Sequence, residues 1–155
     1  MPMKIELVSD INRIRALMAT DRLDIAMAQF PDMPFDIQEL GTSNHIIISD
    51  NDLDIGIFIL DNLSYRNHYN IHVGFIKSAR GFQAYAGGML FLDFVKQLIP
   101  HGCLLGMIPC TKEPAITFGL KIGFKLLAIV PESIKINHNI TDSERVDMAI
   151  VAFNW

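Results

Sequence analysis

Little in this chain supports a disulfide framework, a membrane span or a polyanionic partner. Only two of its 155 residues are cysteines, Cys103 and Cys110. They fall in one short strand-and-loop segment, which argues against a disulfide scaffold and leaves buried free thiols in a reducing compartment as the expectation. No Cys/His spacing matches a zinc site. His68 and His72 are four apart, but Tyr69, Ile71, Val73 and Phe75 around them read as strand. In a strand that spacing spans about 13 Å, too far to share one ion, so no metal is expected. Basic residues are the minority, 13 Lys and Arg against 17 Asp and Glu, and the net charge of −4 argues against a general nucleic-acid binder. No apolar run reaches the roughly 18 residues of a membrane span. The longest, near Ala84 to Ile99, is interrupted by Asp93, Lys96 and Gln97. Met1 to Asp10 has no apolar core of the length a signal peptide needs. The expectation is a cytoplasmic protein with neither nucleic acid nor membrane as partner.

What is present is apolar. Half of the residues are hydrophobic, and the length suits one domain, residues 1–155, with a substantial core. Ile11, Ile14, Leu17 and Met18 keep helical spacing after Asp10, a suitable N-cap, and predict helix from Asp10 to about Phe30, where Pro31 and Pro34 end it. His45–Ser49 and Leu53–Leu60 predict a hairpin around Asp50-Asn51-Asp52. Those three residues open like a calcium loop but lack its later Gly and Glu, so a turn accounts for them better. Tyr69–Ile76 follows as a third strand. Helix is predicted from Phe82 to about Ile99. Its apolar residues lie nearly all round, so it is covered on more than one side, and Gly87-Gly88 implies close packing against a sheet. Cys103–Pro109 reads as strand. Pro114 suits a helix's first turn, and Gly123 its end. Phe124–Val130 and Arg145–Phe153 read as strands, with Pro131–Ser143 as the loop between them. The order gives a mixed α/β (α+β) fold with a largely antiparallel sheet and no internal repeat.

Between the third strand and its helix lies the stretch Lys77-Ser78-Ala79-Arg80-Gly81. A helix's first turn leaves N–H groups without intrahelical partners, and Gly81 permits close backbone approach. A cation at a helix N-terminus is unfavourable unless an anion joins it. Lys77 and Arg80 beside those N–H groups therefore read as a phosphate cradle.

The same stretch resembles the GNAT acyltransferases. Arg80-Gly81-Phe82-Gln83-Ala84-Tyr85 aligns with the Arg/Gln-x-x-Gly-x-Gly/Ala loop that binds the pyrophosphate of acetyl-CoA in that family. Ala115, Lys121 and Gly123-Phe124 fall in register with a later signature. The resemblance runs from about Ile46 to the C-terminus and is most similar to divergent GNAT-like proteins of bacteriophages, whose helix opens Arg-Gly-x-x-Ala after a strand with a His like His72. It implies a GNAT-like sheet flanked by helices, acetyl-CoA as co-substrate and an amine as acceptor. It implies cofactor contacts from Phe75, Ile76, Lys77, Arg80, Gly81, Phe82, Gln83, Ala84, Tyr85 and Lys112. His72, with an intrinsic pKa suited to proton transfer, is the candidate catalytic base, and Glu132 a second option. Asp21, Asp24, Asp32 and Asp36 read as a solvated face or as part of an acceptor channel. The chain departs from the family at Gln83 and Tyr85, where small residues are usual. Lys112 stands in the place of an Asn, and Gly119 in that of the Tyr which protonates the leaving thiolate. The resemblance thus carries the fold more directly than the chemistry. A non-catalytic GNAT-fold protein in phage assembly, acting in a host cytoplasm, is the alternative, and a homo-oligomer or an assembly partner stays open.

Overall fold

The computed structural model describes residues 2–23, 44–62, 67–135 and 145–155. Lys4–Val8 forms β1, a strand that the sequence reading left out. Asp10 then caps helix α1, Ile11–Ala19, its carboxylate accepting from the N–H groups of Asn12 and Arg13. The helix breaks after Ala19, and residues 24–30, where helix was also expected, lie outside the described residues. Thr20 turns its hydroxyl back onto the Ala16 carbonyl, and Asp21 and Arg22 take left-handed backbone angles (φ 54° and 57°). Asp24, Asp32 and Asp36 lie outside the described residues.

β2 (Asn44–Asp50) and β3 (Leu53–Asn62) are joined by Asn51 and Asp52 at φ 50° and 64°. Two successive left-handed residues make the primed turn whose twist matches a hairpin, and Asn and Asp tolerate that conformation. β4 (His68–Phe75) completes the meander. A short 3₁₀ turn at Lys77–Ala79 leads into α2, Phe82–Leu98. β5 (Cys103–Pro109), α3 (Glu113–Ile122), β6 (Lys125–Lys135) and β7 (Arg145–Asn154) follow. β6 continues past Pro131, where a loop was expected. It bulges between Val130 and Ile134 and pairs again at Ile134 and Lys135. The sheet order is β1-β2-β3-β4-β5-β7-β6, so β7 inserts between β5 and β6, and only the β4–β5 pair is parallel. Among the described residues no helix is long and apolar enough to cross a membrane.

The strand register assigns the two faces. On one, the Phe58 ring stacks on Phe91 of α2, with centroids 3.9 Å apart. A side chain at Gly87 would meet Phe75 and Ile48, and one at Gly88 would meet Phe118 and Ile122 of α3. The two glycines thus let α2 settle on the sheet and on α3 together. Since Ile48 points to this face, Ser49 points to the other, and there Arg13 of α1 reaches it. Arg13 also grips Asp54 through Nε and Nη2, each at 2.8 Å, and bonds Glu6 at 2.9 Å. This forked contact docks α1 on the meander. The C-terminus closes on its own domain, where Trp155 donates to the Ile99 carbonyl at 2.7 Å and packs on Gly102. Cys103 and Cys110 are free thiols, but partly rather than fully buried.

Two measurements check this packing. Phe91 is fully buried against Phe58, so Phe91→Ala should cost about 3–5 kcal/mol in urea unfolding. The Asp54 carboxyl is held below its ordinary range, chiefly by the hydrogen bond from Arg13, against the opposing effect of burial. A lowered carboxylate contributes stability above its unfolded pKa, near 3.9, and loses it as pH falls through the folded value. Asp54→Asn should therefore cost stability at neutral pH, and the deficit should close below about pH 4. A deficit unchanged with pH contradicts that origin.

Candidate functional site

The parallel strands β4 and β5 pair only from His68 to Asn70, opposite Cys103 to Leu105. Beyond that, β4 runs on to Phe75 and β5 to Pro109 with no ladder between them. Buried backbone groups ordinarily find partners, so the bare stretch of the β4 edge offers N–H and C=O groups to a bound chain. The opening is a cleft of about 100 Å³. Its walls are Ile71, His72 and Val73 on one side and Gly106 to Pro109 on the other, with Ala115, Phe118 and Ile122 of α3 above. A second hollow, about 190 Å³, lies beneath the end of α2. Asn44 and Tyr69 supply its polar side chains, and the rest of its lining is aliphatic.

His72 enters the cleft from the face opposite α2 and α3. Its neighbour Val73 pairs with Phe58, which faces α2, so His72 points the other way, towards the α1 side. The cleft therefore passes through the sheet. His72 Nε2 lies 2.9 Å from Asp61 Oδ2. Asp61 is two residues beyond Ile59, the register partner of His72, so alternation sets both on one face. His45 pairs with the same Ile59 from β2. Burial pushes the His45 imidazole down, against the pull of Asp61, and its Nε2 is buried without a hydrogen-bond partner among the described residues. Neither Asp61 nor His45 stood out in the sequence, because strand register alone brings them beside His72.

Lys112 lines the cleft at the start of α3, partly buried, and burial lowers its pKa. Gly119 is buried in the same wall, and a Cβ there would meet only Phe124 Cβ, at 4.0 Å. Glu132 is exposed at the β6 bulge, where its N–H bonds Asp147, and does not line the cleft.

The cradle residues follow directly from the end of β4. Gly81 caps α2 at φ 98°, a value that side chains avoid, and is exposed with no atom within 4 Å of an added Cβ. No side chain caps the helix. Arg80 is exposed and donates through Nε to the Phe75 carbonyl at 3.4 Å. Phe82 is 82% exposed, whereas Ala84 is buried. Other groups are already engaged. The Ile76 N–H bonds the Ile55 carbonyl, and the Lys77 N–H bonds the Asp21 carboxylate at 2.7 Å. Gln83 donates to Asp50 at 2.7 Å, and the Lys121 ammonium sits 5.0 Å over the Tyr85 ring. Phe75 is buried with its ring against Phe58 and Phe118, so only its backbone faces the cradle.

Solved structures share the fold of this chain. The chain is similar to the spermidine N-acetyltransferase of Vibrio cholerae solved with CoA and spermine, with TM-score 0.73 and 14% identity over 98% of this chain and 95% of that one. It has the GNAT fold. A Bacillus subtilis acetyltransferase solved with CoA matches at TM-score 0.70 and 13% identity, over 99% of both chains. A probable acetyltransferase of Staphylococcus epidermidis matches at 0.67 and 17%, again over 99% of both. No family model and no curated protein matches the sequence. In this GNAT fold, the start of α2 follows the end of β4, and the sheet opening is lined by Ile71, His72 and Val73 of the same strand.

Proposed function

We propose that the protein is an acyl-CoA-dependent N-acyltransferase that passes an acetyl group from acetyl-CoA to an amine by direct attack. The observation that carries this reading is the opening between β4 and β5, with an ionisable ring on one face and an uncapped helix on the other. The pyrophosphate takes the N–H groups of the first turn of α2, with Gly81 letting it close in and Arg80 and Lys77 supplying charge. The pantetheine arm follows the bare edge of β4 past Phe75, its amides bonding the strand.

The amine enters from the α1 face. With Nε2–H donated to Asp61, Nδ1 is the basic ring nitrogen of His72, and it takes a proton from the acceptor ammonium, releasing the amine lone pair that attacks. Asp61 is the positioning residue: it fixes the ring and balances the imidazolium as it forms. The similarity to an enzyme solved with CoA and spermine supports a CoA thioester as donor and a cationic amine as acceptor.

Two experiments test the reading. Calorimetric titration with acetyl-CoA and with CoA should show binding. Arg80→Ala should weaken it ten- to a hundredfold, the loss of one charge-assisted contact of about 1.5–3 kcal/mol. Absence of heat at millimolar ligand would refute the cofactor site and turn attention to protein partners. His72→Gln should lower kcat by roughly 10²–10⁴ near pH 7 with acetyl-CoA affinity retained. The defect should shrink as pH rises and the acceptor amine loses its proton unaided. A loss independent of pH would mean that His72 serves only the sheet.

A further inference from the structure

His72 and Lys112 are the two ionisable side chains among the described residues that line the cleft. They come from different elements. His72 lies on the α1 face of β4, and Lys112 lies on the turn between β5 and α3, the helix that packs with α2. Acyl transfer from a thioester to an ammonium takes two protons from nitrogen, one before attack and one as the C–N bond forms, and puts one on sulfur as the C–S bond breaks. The imidazole takes the first and water the second. The rest of the lining, apart from backbone, is aliphatic, aromatic or sulfur-bearing, and none of it gives up a proton near neutral pH.

We propose that Lys112 faces the sulfur of the bound thioester and donates the proton that leaves with CoA. This inference rests on the acyl-CoA reading of the cleft. His72 takes one proton from the ammonium, the freed amine nitrogen bonds the carbonyl carbon through its lone pair, and the second N–H proton passes to water. The C–S bond breaks with its electron pair on sulfur, that pair takes a proton from the Lys112 ammonium, and the neutral Lys112 recovers its proton from water. Burial, which disfavours the ammonium form, brings the lysine closer to an ordinary thiol near 8.5, where transfer between the two is better matched. Among the described residues, the charged groups around this corner include Glu113, exposed on the first turn of α3, Asp147, whose carbonyl accepts from the Cys110 N–H, and His72 across the cleft. Buried Gly119 leaves the neighbouring wall open, so no side chain from that position competes for the sulfur.

The test needs no acceptor. CoA bound to the protein is titrated by the ultraviolet absorption of its thiolate, with the protein's own signal subtracted. A facing cation should lower the thiol pKa by roughly one to three units relative to free CoA. Lys112→Met should return it to the free value, and Lys112→Arg, which keeps the cation, should leave it lowered. A bound thiol that titrates like free CoA in the wild-type protein overturns the proposal while leaving the cofactor site in place. Failure of CoA to bind, read separately by calorimetry, overturns both. The comparison of bound with free CoA uses the wild-type chain alone, so the outcome does not depend on whether a Lys112 variant folds.

Discussion

The candidate site depends on the early end of one ladder. Three residue pairs hold β4 to β5, and then the strands separate. Among the described residues, the candidate site is arranged about that separation. The separation bares an edge of β4, lets α3 form a roof over the gap, and brings His72 and Lys112 to one volume. Other features keep the gap from closing. Pro109, at the end of β5, lacks the N–H that a longer ladder would use. Gly106 is pressed against Val151 on the β7 side, which binds β5 along its whole length, and little side chain is left to fill the cleft. The sheet therefore gives up hydrogen bonds on one side of β5 while keeping a full antiparallel set on the other.

The packing around the gap is stiff where the site needs it. Phe58 lies beneath Phe91 and beside Phe75, and Phe75 in turn meets Phe118 of α3. This aromatic chain joins the central strand, α2 and α3, so α2 and the cleft keep a fixed relation. On the other face the Arg13–Asp54 pair docks α1 close to the meander that carries His72 and Asp61. That charge pair is only partly buried, and it holds position more than it adds stability. Asp61 acts on a smaller scale, holding one ring in one orientation.

Local signals in the sequence were enough for the elements that local chemistry sets. Cys103–Pro109 and the α2 helix fall where hydrophobic runs and Pro or Gly punctuation predicted them. Asn51-Asp52 makes its turn because those residues accept left-handed angles. Where tertiary contact decides, the sequence was silent or misleading. β1 is a short edge strand with exposed Leu7, and it is a strand only because β2 pairs with it. α1 stops at Ala19 without a Gly or Pro, through left-handed Asp21 and Arg22. β6 passes Pro131 by bulging, which an edge strand tolerates. In the site, His72, Lys112 and the cradle could be read from sequence. Asp61 and His45 could not, since their closeness to His72 is a matter of strand register across three strands.

The central claim is that a CoA thioester lies between β4 and β5 with its phosphates at the head of α2. The most direct check is the pattern of backbone amide shifts on adding CoA to isotopically labelled protein. The account predicts that Ile71 to Phe75 and Gly81 to Ala84 move together at one affinity, along with Lys112, while β1 and the hollow beneath the end of α2 stay still. Shifts confined to the hollow, or scattered over the surface without saturation, would contradict it.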